Sequence, residues 1–113
     1  MTIQSAVVRL QVDDLESAVT FYEKMTGGVA SRFAFAGVSL AAVGPFLLVS
    51  GEEEAVRRVA GVKATLPVAD LAAAVEAAVA EGAEVVVPAA PTPNGHRAIL
   101  RHPQGGVFEY TGP

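Results

Sequence analysis

With 113 residues, 51% of them hydrophobic and 18% charged, the chain is long enough for one domain with a real core and too apolar to be disordered. Its net charge of −4 argues against a nucleic-acid backbone as partner, which needs a basic surface, and mildly favours a cationic ligand. The absence of cysteine excludes disulfides, thiolate metal sites and cysteine nucleophiles; with no bilayer-length apolar run and no basic-then-apolar N-terminal segment, no membrane is expected and the expected location is the cytoplasm.

One stretch is written twice. Val12-Asp13-Asp14-Leu15-Glu16-Ser17-Ala18-Val19 returns as Val68-Ala69-Asp70-Leu71-Ala72-Ala73-Ala74-Val75, with an apolar strand-like run before each copy and a helical pattern beginning at each Leu. The repeat unit is strand, Asp, helix. Each half alone is too small for a stable core, so the two are expected to pack together.

In chain order, Ile3 to Val12 read as a strand with Val7, Arg9 and Gln11 on one face. Asp14 then caps a helix whose buried face is Leu15, Ala18, Val19, Tyr22 and Met25, ended by Gly27-Gly28. Three short strands follow, Val29 to Phe35, Val38 to Val43 and Phe46 to Ser50, separated by Ala36-Gly37 and Gly44-Pro45. Glu52-Glu53-Glu54 with Arg57-Arg58 suits a short solvated linker helix, acids at its start and bases at its end, with Glu53–Arg57 and Glu54–Arg58 at the i,i+4 spacing.

The second half repeats the programme: strand Val62 to Val68, Asp70 as cap, a helix burying Leu71, Ala74, Val75, Ala78 and Val79, and a strand from Ala83 to Pro88. Pro91 to Gly95 reads as a stiff loop, and strands His96 to Arg101 and Val107 to Thr111 flank a turn at residues 102–106. The fold class is α+β, two tandem βαβββ modules at about residues 1–51 and 62–113, joined by a linker helix at about 52–61, in a single domain.

These features together resemble the vicinal oxygen chelate superfamily, which includes glyoxalase I, bleomycin-resistance proteins and extradiol dioxygenases. The likeness spans the chain and rests on the doubled Val-x-Asp-Leu-x-x-Ala, on Phe21-Tyr22 in the first helix, and on Pro103-Gln104-Gly105-Gly106-Val107-Phe108-Glu109. The usual Asp before that Pro is His102 here. The resemblance implies a cupped mixed sheet with helices on its outer face, and in metal-dependent members four His, Glu or Gln ligands on the inner one. Two of those positions fall on Val7 and Lys63, a third on Glu109, and the fourth within Leu47 to Ser50, where only Ser50 carries an oxygen. Val has no donor and a protonated Lys repels a cation, so no metal and no other cofactor is expected.

If the superposition holds, the Lys63 ammonium lies near the vacant metal position and pairs with Glu109. Glu109 is then the one weak candidate for a general base, though such a partner would tie it up. Arg9 on the inner face either contacts a ligand's oxygen or is salt-bridged at the rim. Phe46, with Phe33 and Phe35, offers an apolar wall if exposed to a ligand. The expected ligand-binding set is Val7, Arg9, Gln11, Phe46, Lys63 and Glu109, whereas His96 and His102 read as solvated turn residues.

The leading expectation is a metal-free binder of a cationic or aromatic small molecule, similar to the drug-sequestering branch of the superfamily and homodimeric like it. Two others stand beside it: a metal-dependent lyase, isomerase or dioxygenase in which Glu52 and a histidine complete the ligand set, and a protein-interaction or regulatory domain.

Overall fold

A computed structural model describes Ile3 and residues 5–113, the side chains of 58 and 59 excepted. The elements run β1 (Val7–Gln11), α1 (Leu15–Thr26), β2 (Ser31–Phe35), β3 (Val38–Val43), β4 (Phe46–Gly51), α2 (Glu53–Val59), β5 (Val62–Pro67), α3 (Leu71–Ala80), β6 (Glu84–Thr92), β7 (Gly95–Arg101) and β8 (Val107–Gly112). The architecture is α+β, βαβββ written twice. Two compact units divide the chain, residues 8–61 in one and residues 62–113 with the segment up to Val7 in the other.

In the first unit the strand order is β2-β3-β4-β1, antiparallel except where β1 runs parallel to β4 with Val8 opposite Phe46 and Gln11 opposite Val49. Asp14 starts α1 because its extended backbone lets the carboxylate accept from Ser17 N–H at 3.1 Å. Gly27, at φ 74°, ends it in the left-handed conformation that a residue without Cβ adopts freely. Leu15, Ala18, Val19 and Tyr22 pack with Leu10, Val12, Ala41, Val43, Phe46 and Leu48 between helix and sheet. Met25, expected on this face, is 64% exposed.

The second unit has the order β5-β8-β7-β6, with β5 parallel to β8 and the rest antiparallel. Asp70 repeats the cap, accepting from Ala73 N–H at 3.1 Å. Leu71 and Ala74, with Val75 and Ala78, lie on Leu66, Val68, Ala98, Leu100 and Tyr110. The small alanines bring helix and sheet close, while Val79 stays 44% exposed.

The boundaries of β1 and β6 differ from the sequence reading. β1 begins at Val7, not Ile3, and Gln4 lies outside the described residues. β6 continues to Thr92, opposite Gly95, so the supposed loop is strand except for a turn at Pro93-Asn94. Pro88 and Pro91 are tolerated there because β6 ends the strand order and its register with β7 shifts twice, which leaves positions without a ladder N–H to supply. Within α2, Arg57 Nη2 meets Glu53 Oε1 at 2.9 Å as the spacing implied, whereas the Glu54–Arg58 pairing falls outside the described side chains. No helix among the described residues is long and apolar enough to cross a membrane.

Candidate functional site

Strand alternation in the second unit sends Phe108 and Tyr110 toward α3 and Glu109 to the opposite face. In the ladder Glu109 stands between Thr65 on β5 and Ile99 on β7, all three buried. Thr65 Oγ1 donates to Glu109 Oε1 at 2.7 Å and Arg97 Nε donates to Oε2 at 2.6 Å. Both carboxylate oxygens therefore hold a strong donor, one of them charged. The pair is electrically neutral, which is what allows a carboxylate to sit where water is scarce.

Arg97 was missed in the sequence, and Lys63 was expected in its place. Lys63 is exposed, with its stem beside Gly106, where an added Cβ would lie 3.7 Å from Lys63 Cε. No hydrogen bond or ion pair joins it to Glu109: the expected Lys63–Glu109 pair is replaced by Arg97–Glu109. The signal that locates Arg97 is the register of the closing hairpin. From Arg101 opposite Val107, counting outward brings Arg97 opposite Thr111 and onto the face of Glu109.

In the first unit Leu10 and Val12 pack under α1, so Arg9 and Gln11 take the face of β1 turned away from that helix, beside the buried Leu47 and Val49. Arg9 is half-buried, Gln11 exposed and Val7 half-buried. Phe46 is a correction. It packs against the helix, its ring 4.5 Å from that of Tyr22, and so lies on the side of the sheet opposite to Arg9 and Gln11.

His102 is a second correction. It is half-buried, not solvated: its ring stacks on Phe108 at 4.2 Å and 19°, and its Nε2 lies 2.6 Å from Tyr110 Oη, the direction of donation being set by the imidazole tautomer. Burial pushes the Tyr110 phenol above its ordinary value of 10.0. His96 is exposed at the start of β7.

The donor set does not fit a divalent metal. The positions the resemblance assigns to ligands carry an aliphatic side chain, Val7, an ammonium, Lys63, and a carboxylate, Glu109, whose oxygens are both engaged. On β4 the residues facing away from α1 are Leu47 and Val49, while Ser50 shares the parity of the helix-packed Leu48. Glu52 is exposed ahead of α2. No group of three or more His, Asp or Glu among the described residues is arranged to hold a metal ion.

Residues 6–111 match the family model described as a glyoxalase-like domain. The chain belongs to this glyoxalase-like family. The family lies within the vicinal oxygen chelate superfamily, as the sequence motifs implied. Among solved structures, this glyoxalase-like chain is similar to an uncharacterized protein from Methanosarcina mazei, at 35% identity and a TM-score of 0.90 over 99% of this chain and 94% of that one. It is also similar to methylmalonyl-CoA epimerase from Mycobacterium tuberculosis, at 20% identity and a TM-score of 0.68 over 100% and 93%. A Streptomyces coelicolor methylmalonyl-CoA epimerase gives 16% and 0.68 over 96% of each chain. At such identities the epimerases bear on the fold alone. No curated protein matches the chain significantly.

Proposed function

We propose that this glyoxalase-like protein is a metal-independent small-molecule binder that acts by sequestering a metabolite or drug in the cytoplasm. The observation that carries the reading is the Arg97–Glu109 pair: the carboxylate that matches the family's ligand position is neutralised by a side chain of the same unit. A metal ion would have to displace the guanidinium and find further donors among an aliphatic residue and a lysine, and binding depends on several correctly charged donors acting together. The same pairing argues against Glu109 as a general base, since a proton acceptor must be able to leave its partner.

The protein is expected to work as a homodimer. Support comes from β6, at the end of its strand order, where Val85, Val86 and Val87 are each about 40% exposed in an unbroken run. Light scattering across a concentration series measures this directly.

The test of the function is metal uptake beside a ligand screen. After incubation with Zn²⁺, Ni²⁺, Mn²⁺ or Fe²⁺ and desalting, the expected metal content is well below one ion per chain. Stoichiometric uptake abolished by Glu109→Ala overturns the proposal. In a thermal-shift screen, a ligand of the native state raises stability by about 2.7 kcal/mol at a hundredfold excess over its Kd, which identifies the ligand class.

A further inference from the structure

The first unit holds a cleft of about 590 Å³ lined by Gln11, Val12, Asp13, Val49, Gly51 and four residues of the α2 region, Glu53, Val56, Arg57 and Ala60. Small-molecule sites commonly occupy about 300–1,000 Å³. The apolar residues of the lining are Val12, Val49, Val56 and Ala60, of which Val49 is buried. The polar groups are the Gln11 amide, the Asp13 and Glu53 carboxylates and the Arg57 guanidinium, which bridges to Glu53 at 2.9 Å. Among the described side chains Glu53 is paired with Arg57, which leaves Asp13 as the carboxylate of the lining without that cation.

The duplication inside the chain supplies a control for what the fold itself requires. Asp14 and Asp70 occupy the same place in the two copies and do the same work, accepting from the backbone N–H three residues on. Asp13 does no such work, and its counterpart is Ala69. Gln11 likewise has Pro67 as its counterpart. The strand-Asp-helix unit thus folds with carbon at both positions, and the first copy alone carries an amide and a carboxylate there, both on the wall of a cavity. Glycine at position 51 has its own steric reason: at φ 155° an added Cβ would lie 3.1 Å from Gly37 O, so no side chain fills the cleft from that side.

We propose that this cleft is the ligand site of the protein and that it selects a small organic cation, an amine on a short apolar body. The ammonium pairs with Asp13 and donates to the Gln11 amide oxygen, while the body lies on Val56 and Ala60. The inference rests on the small-molecule-binding reading and deepens it by naming place and class.

The test is a titration of the ¹⁵N-labelled full chain followed by two-dimensional NMR. Phenethylamine is the probe, with 2-phenylethanol and phenylacetate as neutral and anionic isosteres. The expected result is saturable binding of phenethylamine, with the largest shifts at Gln11, Asp13, Gly51 and Val56, and weaker binding of both isosteres. Asp13→Asn should weaken phenethylamine by about tenfold or more, the worth of a charged hydrogen bond, whereas Glu54→Gln, the same charge change on α2 outside the residues lining the cleft, should not. Absence of saturable binding, equal binding of phenylacetate, or indifference to Asp13→Asn overturns the proposal. Shifts centred on Arg97, Ile99 and Glu109 also overturn it, yet leave small-molecule binding itself standing; stoichiometric metal uptake bears on metal independence alone and is read separately from this titration.

Discussion

Arg97 Nε lies 2.6 Å from Glu109 Oε2, in a pair that leaves 16% of the arginine side chain and 10% of the glutamate side chain exposed. Buried pairs of this kind contribute little over a well-packed apolar replacement, but breaking one is expensive because the remaining charge stays buried. Arg97→Met is therefore expected to destabilise the protein by about 3–5 kcal/mol, and the Arg97→Met, Glu109→Leu double variant to lose less than the two single losses added. Urea unfolding of wild type, both singles and the double variant measures the coupling. Additive losses would mean that the two side chains do not act as a pair.

Tyr110 gives a pH dependence of known sign. Burial raises its pKa above 10.0, so the folded state keeps the phenolic proton where the unfolded chain releases it. The stability this represents is full below pH 10 and is lost as pH rises through the folded value. Wild type is expected to lose stability more steeply than Tyr110→Phe between pH 9 and 11, by urea midpoints at each pH. Parallel curves would show that the alkaline loss has another origin.

What the sequence could tell depended on how far apart the interacting residues lie along the chain. The caps at Asp14 and Asp70 were legible because each reaches a backbone group three residues on, and the repetition doubled the signal. Glu109 was legible from the closing motif. Arg97 was not, since its partner is fixed only by the register of a hairpin, and the nearest cation by analogy, Lys63, was chosen instead. Phe46 failed on parity. In a strand one residue decides the face, and only the packing of Phe46 on Tyr22 shows which way β4 is turned. His102 was read as solvated because nothing local announces that Phe108 and Tyr110, across a turn, will enclose it.

Gly95 separates backbone strain from collision. It has φ 144°, and an added Cβ would lie 2.7 Å from Gly112 O on the neighbouring strand, whereas Gly105, at φ 98°, has nothing within 4 Å. Both alanine variants incur strain, but only Gly95→Ala must push β8 away from β7. Gly95→Ala is expected to cost about 1–3 kcal/mol more than Gly105→Ala. Equal costs in thermal or urea unfolding would mean that the hairpin relaxes freely at its open end.

The first helix cap makes the last prediction, on the acid side. Asp14 has its pKa lowered from 3.8, chiefly by the backbone N–H of Ser17 and then by the Ser17 hydroxyl, which donates to Asp14 Oδ2 at 3.1 Å. A carboxyl group held down in the folded state stabilises it above the unfolded value and loses that effect as pH falls through the folded one. The difference in Tm between wild type and Asp14→Ala should therefore be constant at neutral pH and shrink as pH falls below the ordinary carboxylate value of 3.8. Asp13→Ala removes the same charge one residue earlier without removing a cap, so its loss of Tm at neutral pH should be smaller. Equal losses would mean that the benefit is the general attraction of negative charge to a helix start rather than the specific bond to Ser17.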